Sequence, residues 1–549
     1  MTQVNLGQSQ AGLWWLPGTI GVGAIAALIG LAAYGIGKTA SLDGIAATLA
    51  DPTLVRIAGF TVFQAALSAA ISVALALPFA RAASRRPGWR PLAGFMKLGN
   101  LAFVTPVIIG VFGIVEVHGV TGWVNSAARA LTGESFGPYV YGLGGILIAH
   151  AFFNMPFAAR NFDRALAGIA PESWRLAAQL GMSSGQIFRL IEWPALARVF
   201  LPTAGIIFAM CFTSFAVVVT LGGGPAATIL EVAIYQALRF DFDITRAAGL
   251  ALTQFVLAAA IVGPLLFVTA APAQTATGGA CAARPDAAGW PARATDLAAV
   301  TMAAVVIIAP LAGILLPGIA AMTFERLADP ALWRATGWSL AIAAGAGSIA
   351  FAIGLGILMT QRHLTVRRGR LRAGAALEAA SAIILVAPPM LLGAGLFLAL
   401  RGRVDLFAAA PFLVIAINAV AGLPFVLRLI GPDFLRAAEH HDRLAASLGL
   451  SGMNRWRLVD WPAIRPAAAT ALAVTMTLAA GDLGVIALFG TPDTTTLPLL
   501  IFQRMGAYRM DEAAVGVVVL IALCVGIFVC VETALGGRGR LKRRVFSHA

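Results

Sequence analysis

The sequence predicts an all-α polytopic membrane protein with about twelve transmembrane helices arranged as two parallel six-helix repeats. Three observations carry this. Of 549 residues, 59% are hydrophobic and only 12% charged, which leaves too little polar surface for a water-soluble domain. The apolar residues fall in twelve continuous runs, each about 20 residues long, the length a helix needs to cross a bilayer. Short motifs of the first half also return in the same order in the second.

The runs lie near 14–36, 57–80, 92–117, 140–159, 199–221, 247–270, 297–322, 337–360, 375–400, 407–430, 466–489 and 513–535. Their glycine and alanine richness lets helix backbones approach closely, which is how helices pack where lipid supplies no hydrophobic drive. Outer-membrane strands would alternate in polarity over about ten residues, and these runs do not. The first run is longer than a signal-peptide core and has no basic residue before it, so it is expected to remain a helix.

A formal charge of +14 raises the question of nucleic acid, and its placement answers it. With both termini inside, the inward loops and the tail hold 28 of the 39 Lys and Arg. This is the positive-inside pattern, which sets topology in the bilayer and needs no nucleic-acid partner. The expected location is a bacterial inner membrane. Cys211, Cys281, Cys524 and Cys530 show no CxxC pairing, so no disulfide framework is expected.

Internal repetition sets the domain plan. "DPTLVRIAGF" at 51–60 returns as "DPALWRATGW" at 329–338, "PFAAR" at 156–160 as "PFVLR" at 424–428, and "RLAAQLGMS" at 175–183 as "RLAASLGLS" at 443–451. Each copy holds an even number of runs, so the copies face the same way across the membrane. The expected halves are 1–270 and 296–549, joined by an Ala-, Gly-, Pro- and Thr-rich linker at 271–295, with a pathway between them.

The doubled inward loop is the most informative stretch. Ala177 and Ala178 permit a tight helix contact, Gly181 suits a left-handed cap, and Ser183 can open a short helix. Ala445, Ala446, Gly449 and Ser451 repeat the arrangement. Trp193 and Pro194, matched by Trp461 and Pro462, place an indole at headgroup level and a proline in the first turn of the next membrane helix. Helix, turn, short helix and re-entry together make a handle for another protein. Loops that only connect and cap helices need similar punctuation, but the duplicated spacing favours the handle.

These loops resemble the "EAA" loop of ABC importer permeases, whose pattern runs Glu-Ala-Ala, three residues, Gly, nine residues, Ile-x-Leu-Pro. Nine residues separate Gly181 from Ile191-Glu192-Trp193-Pro194, and nine separate Gly449 from Val459-Asp460-Trp461-Pro462. Where the family has its glutamate, the chain has Arg175 and Arg443, and Glu172 or, one place out of register, Glu439 can substitute. The fused halves, "IEWP", "VDWP" and "GDLGVIALFG" at 481–490 are most similar to fused permeases of the thiamine and thiamine-pyrophosphate type, related to ferric-iron permeases.

The resemblance implies a type I importer fold. It also implies a periplasmic substrate-binding protein on the outer face and two copies of a separate ATPase, which would bind ATP and Mg and grip Ser183–Phe188 and Ser451–Trp456. Ile187, Phe188, Arg455 and Trp456 complete the implied contact set.

For the substrate pathway the candidates are Asp482, Ser214 at the corresponding place in the first half, and Asn154. An acid in a membrane helix is costly and so needs a partner, either a cationic substrate or a neighbouring helix. Glu116 and His118 lie near an outer helix end, His150 within the fourth run, and Asp243 and Asp511 before the last run of each half, where they can cap helices or face the binding protein. His440 and His441 lack a third ligand at metal spacing.

"AAYGIGKTAS" at 32–41 resembles a phosphate-binding loop, but Ala32 replaces its first glycine and the stretch ends a membrane helix. Energy must therefore come from a partner chain or an ion gradient. An ion-coupled transporter would favour several buried ionisable groups at the midplane, where only Asp482 stands. No catalytic constellation points to an enzyme.

Overall fold

A computed structural model describes residues 16–39, 42–89, 105–264, 284–370 and 388–536, with a few single positions between them. The expectations for 92–104, 265–283, most of 375–387, Cys281 and the basic tail lie outside these residues. Among the described residues there is no strand, and every expected run meets helix.

Among the described residues, ten helices are long and apolar enough to cross a membrane. The two remaining runs fall short for plain reasons. Leu143–Ala167 carries His150, Asn154, Arg160, Asp163 and Arg164, which lower its hydropathy. Of the run at 375–400, the described continuous helix is Pro389–Leu400.

The chain groups into two compact units, one of residues 39–332 and 498–521, the other of 1–38, 333–497 and 522–549. The helix that opens each sequence repeat, Leu16–Thr39 or Trp290–Ala320, thus belongs to the unit that holds most of the other repeat.

In the larger unit the frame is the Pro52–Arg85 helix, packed on Leu143–Ala167 and Trp193–Phe212. Asp51 starts it by accepting from Thr53 N at 2.8 Å, with Pro52 in the first turn, where a missing N–H costs nothing. Gln64 Nε2 donates to the Cys211 carbonyl at 2.8 Å, so the frame is pinned by polar contacts as well as by packing. Trp290–Ala320 lies against Val107–His118 so closely that a Cβ on Gly113 would come within 2.3 Å of the Pro310 carbonyl oxygen.

In the smaller unit the frame is Leu406–Ser447, a 42-residue helix packed on Trp461–Ala480. Asp405 caps its start. Phe434, Val426, Ile430, Ile464 and Ala468 form its core. Leu16–Thr39 joins this unit through a Gly18 N–H donated to Thr360 Oγ1 at 3.0 Å and through a close approach of Gly35 to the backbone of Gly395.

Candidate functional site

The first loop begins where Leu143–Ala167 ends. Gly168 and Pro171 break the chain there, and a new helix runs Pro171–Gln179. Gly181 takes φ +61°, the left-handed value its position requires. Ser183 then opens the short helix Ser184–Ile187 with a reciprocal cap: Gln186 N donates to Ser183 Oγ, and Ser183 N donates to Gln186 Oε1 at 2.8 Å. A wide π-helical turn, Phe188–Glu192, leads into Trp193–Phe212.

In the second loop each counterpart lies 268 positions later. Arg-Ala-Ala-Glu at 436–439 replaces Gly-Ile-Ala-Pro at 168–171, and with the breakers gone the helix runs unbroken to Ser447. The separate helix expected for this part of the loop is therefore the end of the membrane helix itself. Gly449 takes φ +66°, but Ser451 makes no side-chain cap; Gly452, at φ +55°, opens the short helix Gly452–Arg455. The π-helical turn recurs at Trp456–Asp460.

What holds each short helix in place is a buried acid. Glu192 is fully buried and receives Arg81 Nε at 2.7 Å together with Arg284. Asp460 is buried and pairs with Arg362 at 2.8 Å and with Arg455 at 3.4 Å. Removing either acid from water is tolerable only because two guanidinium groups meet it.

Around Glu192 the network widens. Arg85 Nε donates to Asp286 at 2.9 Å, its Nη1 to Asp296 at 3.0 Å and its Nη2 to Ser184 Oγ at 2.7 Å. Burial pushes the Asp286 carboxyl up, but hydrogen bonds and charge from Arg284 and Arg85 outweigh it and hold the group below the ordinary carboxylate range.

On the outer side the two loops agree. Leu176 and Leu444 are 55% and 58% exposed, Leu180 and Leu448 67% and 66%, and Leu190 and Leu458 62% and 66%. Large apolar side chains are thus exposed at three matched positions of the two loops. Arg175, Ala178, Gly181, Ser183 and Glu172 are likewise exposed in the first loop, and Arg443, Ala446, Gly449, Ser451 and Glu439 in the second.

Ala177, Ile187, Ala445 and Arg455 are buried, and Phe188 and Trp456 half-buried, so they support the exposed residues from behind. Trp193 and Pro194 are exposed at the loop's end, as is Pro462, with Trp461 half-buried.

Deeper in each unit a second pair of matched positions is polar. His150 Nε2 lies 2.9 Å from Ser214 Oγ, and its Nδ1 lies 2.7 Å from Ser68 Oγ. At the equivalent places Asn418 Nδ2 donates to Asp482 Oδ2 at 3.2 Å. Asp482 also accepts from Gly484 N and Val485 N at 3.2 Å each, which caps the helix that follows the Gly481–Leu483 break. Asn154 donates to Cys211 Sγ at 3.3 Å.

Asp243 caps Ile244–Leu257, and Asp511 pairs with Arg326 at 2.6 Å. Glu116 and His118 both lie in the Val107–His118 helix, where His118 Nδ1 meets the Tyr139 hydroxyl at 2.7 Å. His440 and His441 each contact a backbone carbonyl one turn earlier, and among the described residues no group of side chains can hold a metal ion.

The chain is 38% identical over 525 residues to the thiamine transport system permease protein ThiP of Brucella abortus (strain 2308), covering 95% of each chain. It is 37% identical over 528 residues to that of Escherichia coli (strain K12), covering 95% of this chain and 97% of that one. The chain belongs to the family of thiamine transport system permease proteins. With its ten apolar helices it is a multi-pass inner-membrane protein and a transport subunit.

The Haemophilus influenzae member is 34% identical over 492 residues, 88% of this chain and 89% of its own. A stretch of 99 residues, 18% of this chain and 37% of that one, is 30% identical to a putative 2-aminoethylphosphonate transport system permease protein of Salmonella paratyphi A. No protein-family model and no solved structure matches the chain.

Sequence reasoning missed the exposed leucines and the buried acids. A column-by-column comparison of the repeats shows the leucines at once, because Leu176, Leu180 and Leu190 are kept in a loop with little other reason to be apolar. Glu192 and Asp460 stand in the Trp-Pro motifs, but Arg81, Arg284 and Arg362 reach them from distant segments.

Proposed function

We propose that this chain is the membrane-spanning subunit of an ATP-driven importer that moves thiamine or thiamine pyrophosphate inward by alternating access. The stretches 1–270 and 296–549 act as its two permease halves. Two copies of a separate ATPase grip the two loops, a periplasmic binding protein delivers the substrate, and both termini lie in the cytoplasm. The observation that supports this most is the pair of matched leucine faces, each braced from behind by a buried acid and its arginines. Coverage of 95% at 38% identity supports thiamine as the substrate.

Thiamine carries a permanent cationic ring. Asp482, with no cation in ion-pair contact among the described residues, is proposed to meet that charge on the way through, with Asn418 aligning the carboxylate. His150 and Ser214 offer a hydrogen-bonded counterpart in the other repeat, and Asn154 lies one turn beyond His150.

The test is reconstitution of the chain with its ATPase and binding protein in proteoliposomes. Thiamine is expected to stimulate ATP hydrolysis and uptake, and ferric iron is not; stimulation by iron instead would overturn the substrate. Leu180→Asp with Leu448→Asp should weaken ATPase association about 100-fold, the size expected for losing central apolar anchors, while leaving the chain in the membrane. Unchanged association in that double variant would remove the handle reading.

A further inference from the structure

The two loops reach one arrangement by different chain routes. In the second, Arg455 lies within the loop, pairs with Asp442 and lies 3.4 Å from Asp460. In the first, the residue at the Arg455 position is Ile187 and the one at the Asp442 position is Trp174, and neither can answer the charge of Glu192. The missing guanidinium comes from Arg284, 92 residues downstream of Glu192 and midway along the segment that joins the two repeats.

Arg284 takes the role that Arg455 has. One Nη2 bonds Glu192, and the guanidinium lies 4.3 Å over the Trp174 ring, the counterpart of Asp442. Its other donors are occupied: Nη1 on Ser84 Oγ at 2.9 Å, Nε on Asp286 Oδ1 at 3.0 Å and Nη2 on Asp286 Oδ2 at 3.0 Å. Asp286 continues the chain of contacts to Arg85, which holds Ser184, the first residue of the short helix. Arg284 and Asp286 are both buried, unusual for a tether between repeats.

We propose that Arg284 is a positioning residue for the first loop, so that the joining segment is a working part of that loop and not a passive linker. The inference builds on the reading of the loops as ATPase handles. It predicts that the first loop, unlike the second, depends on residues outside its own sequence.

The experiment uses the full reconstituted complex. Arg284→Ala should lower thiamine-stimulated ATP hydrolysis about ten-fold, because it leaves Glu192 buried beside Arg81 alone. Adding Trp174→Asp and Ile187→Arg, which gives the first loop the chemistry of the second, should restore activity to within about two-fold.

A geometric readout is independent of the ATPase. With the native cysteines replaced by alanine and Ile187→Cys introduced, a membrane-impermeant maleimide should label position 187 about ten-fold faster once Arg284 is alanine, because that side chain is fully buried when the clasp is closed. Parent-like coupling and labelling in Arg284→Ala would overturn the proposal. If that variant inserts poorly, the triple variant decides: recovered insertion and coupling support the role, and no recovery overturns it. Faster labelling together with intact ATPase association in the leucine variants would leave this inference standing and remove the handle reading alone.

Discussion

Trp174 and Ile187 in the first loop occupy the positions of Asp442 and Arg455 in the second, so an apolar contact on one side stands where an ion pair stands on the other. The aromatic step after it is conserved between the copies: Phe188 and Trp193 lie 6.1 Å apart and tilted, Trp456 and Trp461 6.0 Å apart and tilted. The lesson is that the repeat preserves the exposed leucines and the backbone punctuation, while the interior that supports them has diverged. An outward face that meets a partner is constrained residue by residue. Its support is constrained only to be closely packed and electrically satisfied, which several side-chain sets achieve.

The largest effect that can break this comparison is expected at the shared acids. Glu192→Ala and Asp460→Ala each take a buried acid away from two guanidinium groups, a change worth about 3–5 kcal/mol. Thermal unfolding of the detergent-solubilised chain should show both variants strongly destabilised. A loss confined to one of them would mean that the two acids are not equivalent braces.

A smaller effect tests whether the interiors are interchangeable. Arg455→Ile alone strands Asp442 and Asp460 with Arg362; adding Asp442→Trp rebuilds the apolar contact of the first loop. The double variant should recover about 1–3 kcal/mol relative to the sum of the single ones in a double-mutant cycle. Strict additivity would show that the matched positions do not touch as a pair.

The smallest concerns the turn glycines. At φ +61° and +66°, Gly181→Ala and Gly449→Ala should each cost about 1–2 kcal/mol, and equally, since nothing lies within 4 Å of either added Cβ. Unequal costs would place strain, or a partner, at one loop only.

Much of this was legible in the sequence. The apolar runs, the repeated motifs in the same order, the left-handed glycines and the proline at re-entry all follow from interactions within a few residues, where local backbone preference decides the outcome. Ser183 behaves as its type and place predict, whereas Ser451 does not, because Gly452 opens the second short helix in its own left-handed conformation. The unbroken Leu406–Ser447 helix was also written locally, in the loss of Gly and Pro at 436–439, but became visible only when the two copies were compared against a structure.

By itself, then, the sequence determined the class of protein, the doubling and the punctuation of the loops. Only the tertiary structure decided which helices pack together, with Leu16–Thr39 and Trp290–Ala320 each grouped with most of the other repeat, and which cations answer Glu192. The reason is physical: a turn or a cap is fixed by neighbours along the chain. A buried charge is satisfied by whatever packing brings near, and Arg81 and Arg284 lie 111 and 92 residues away from the acid they share.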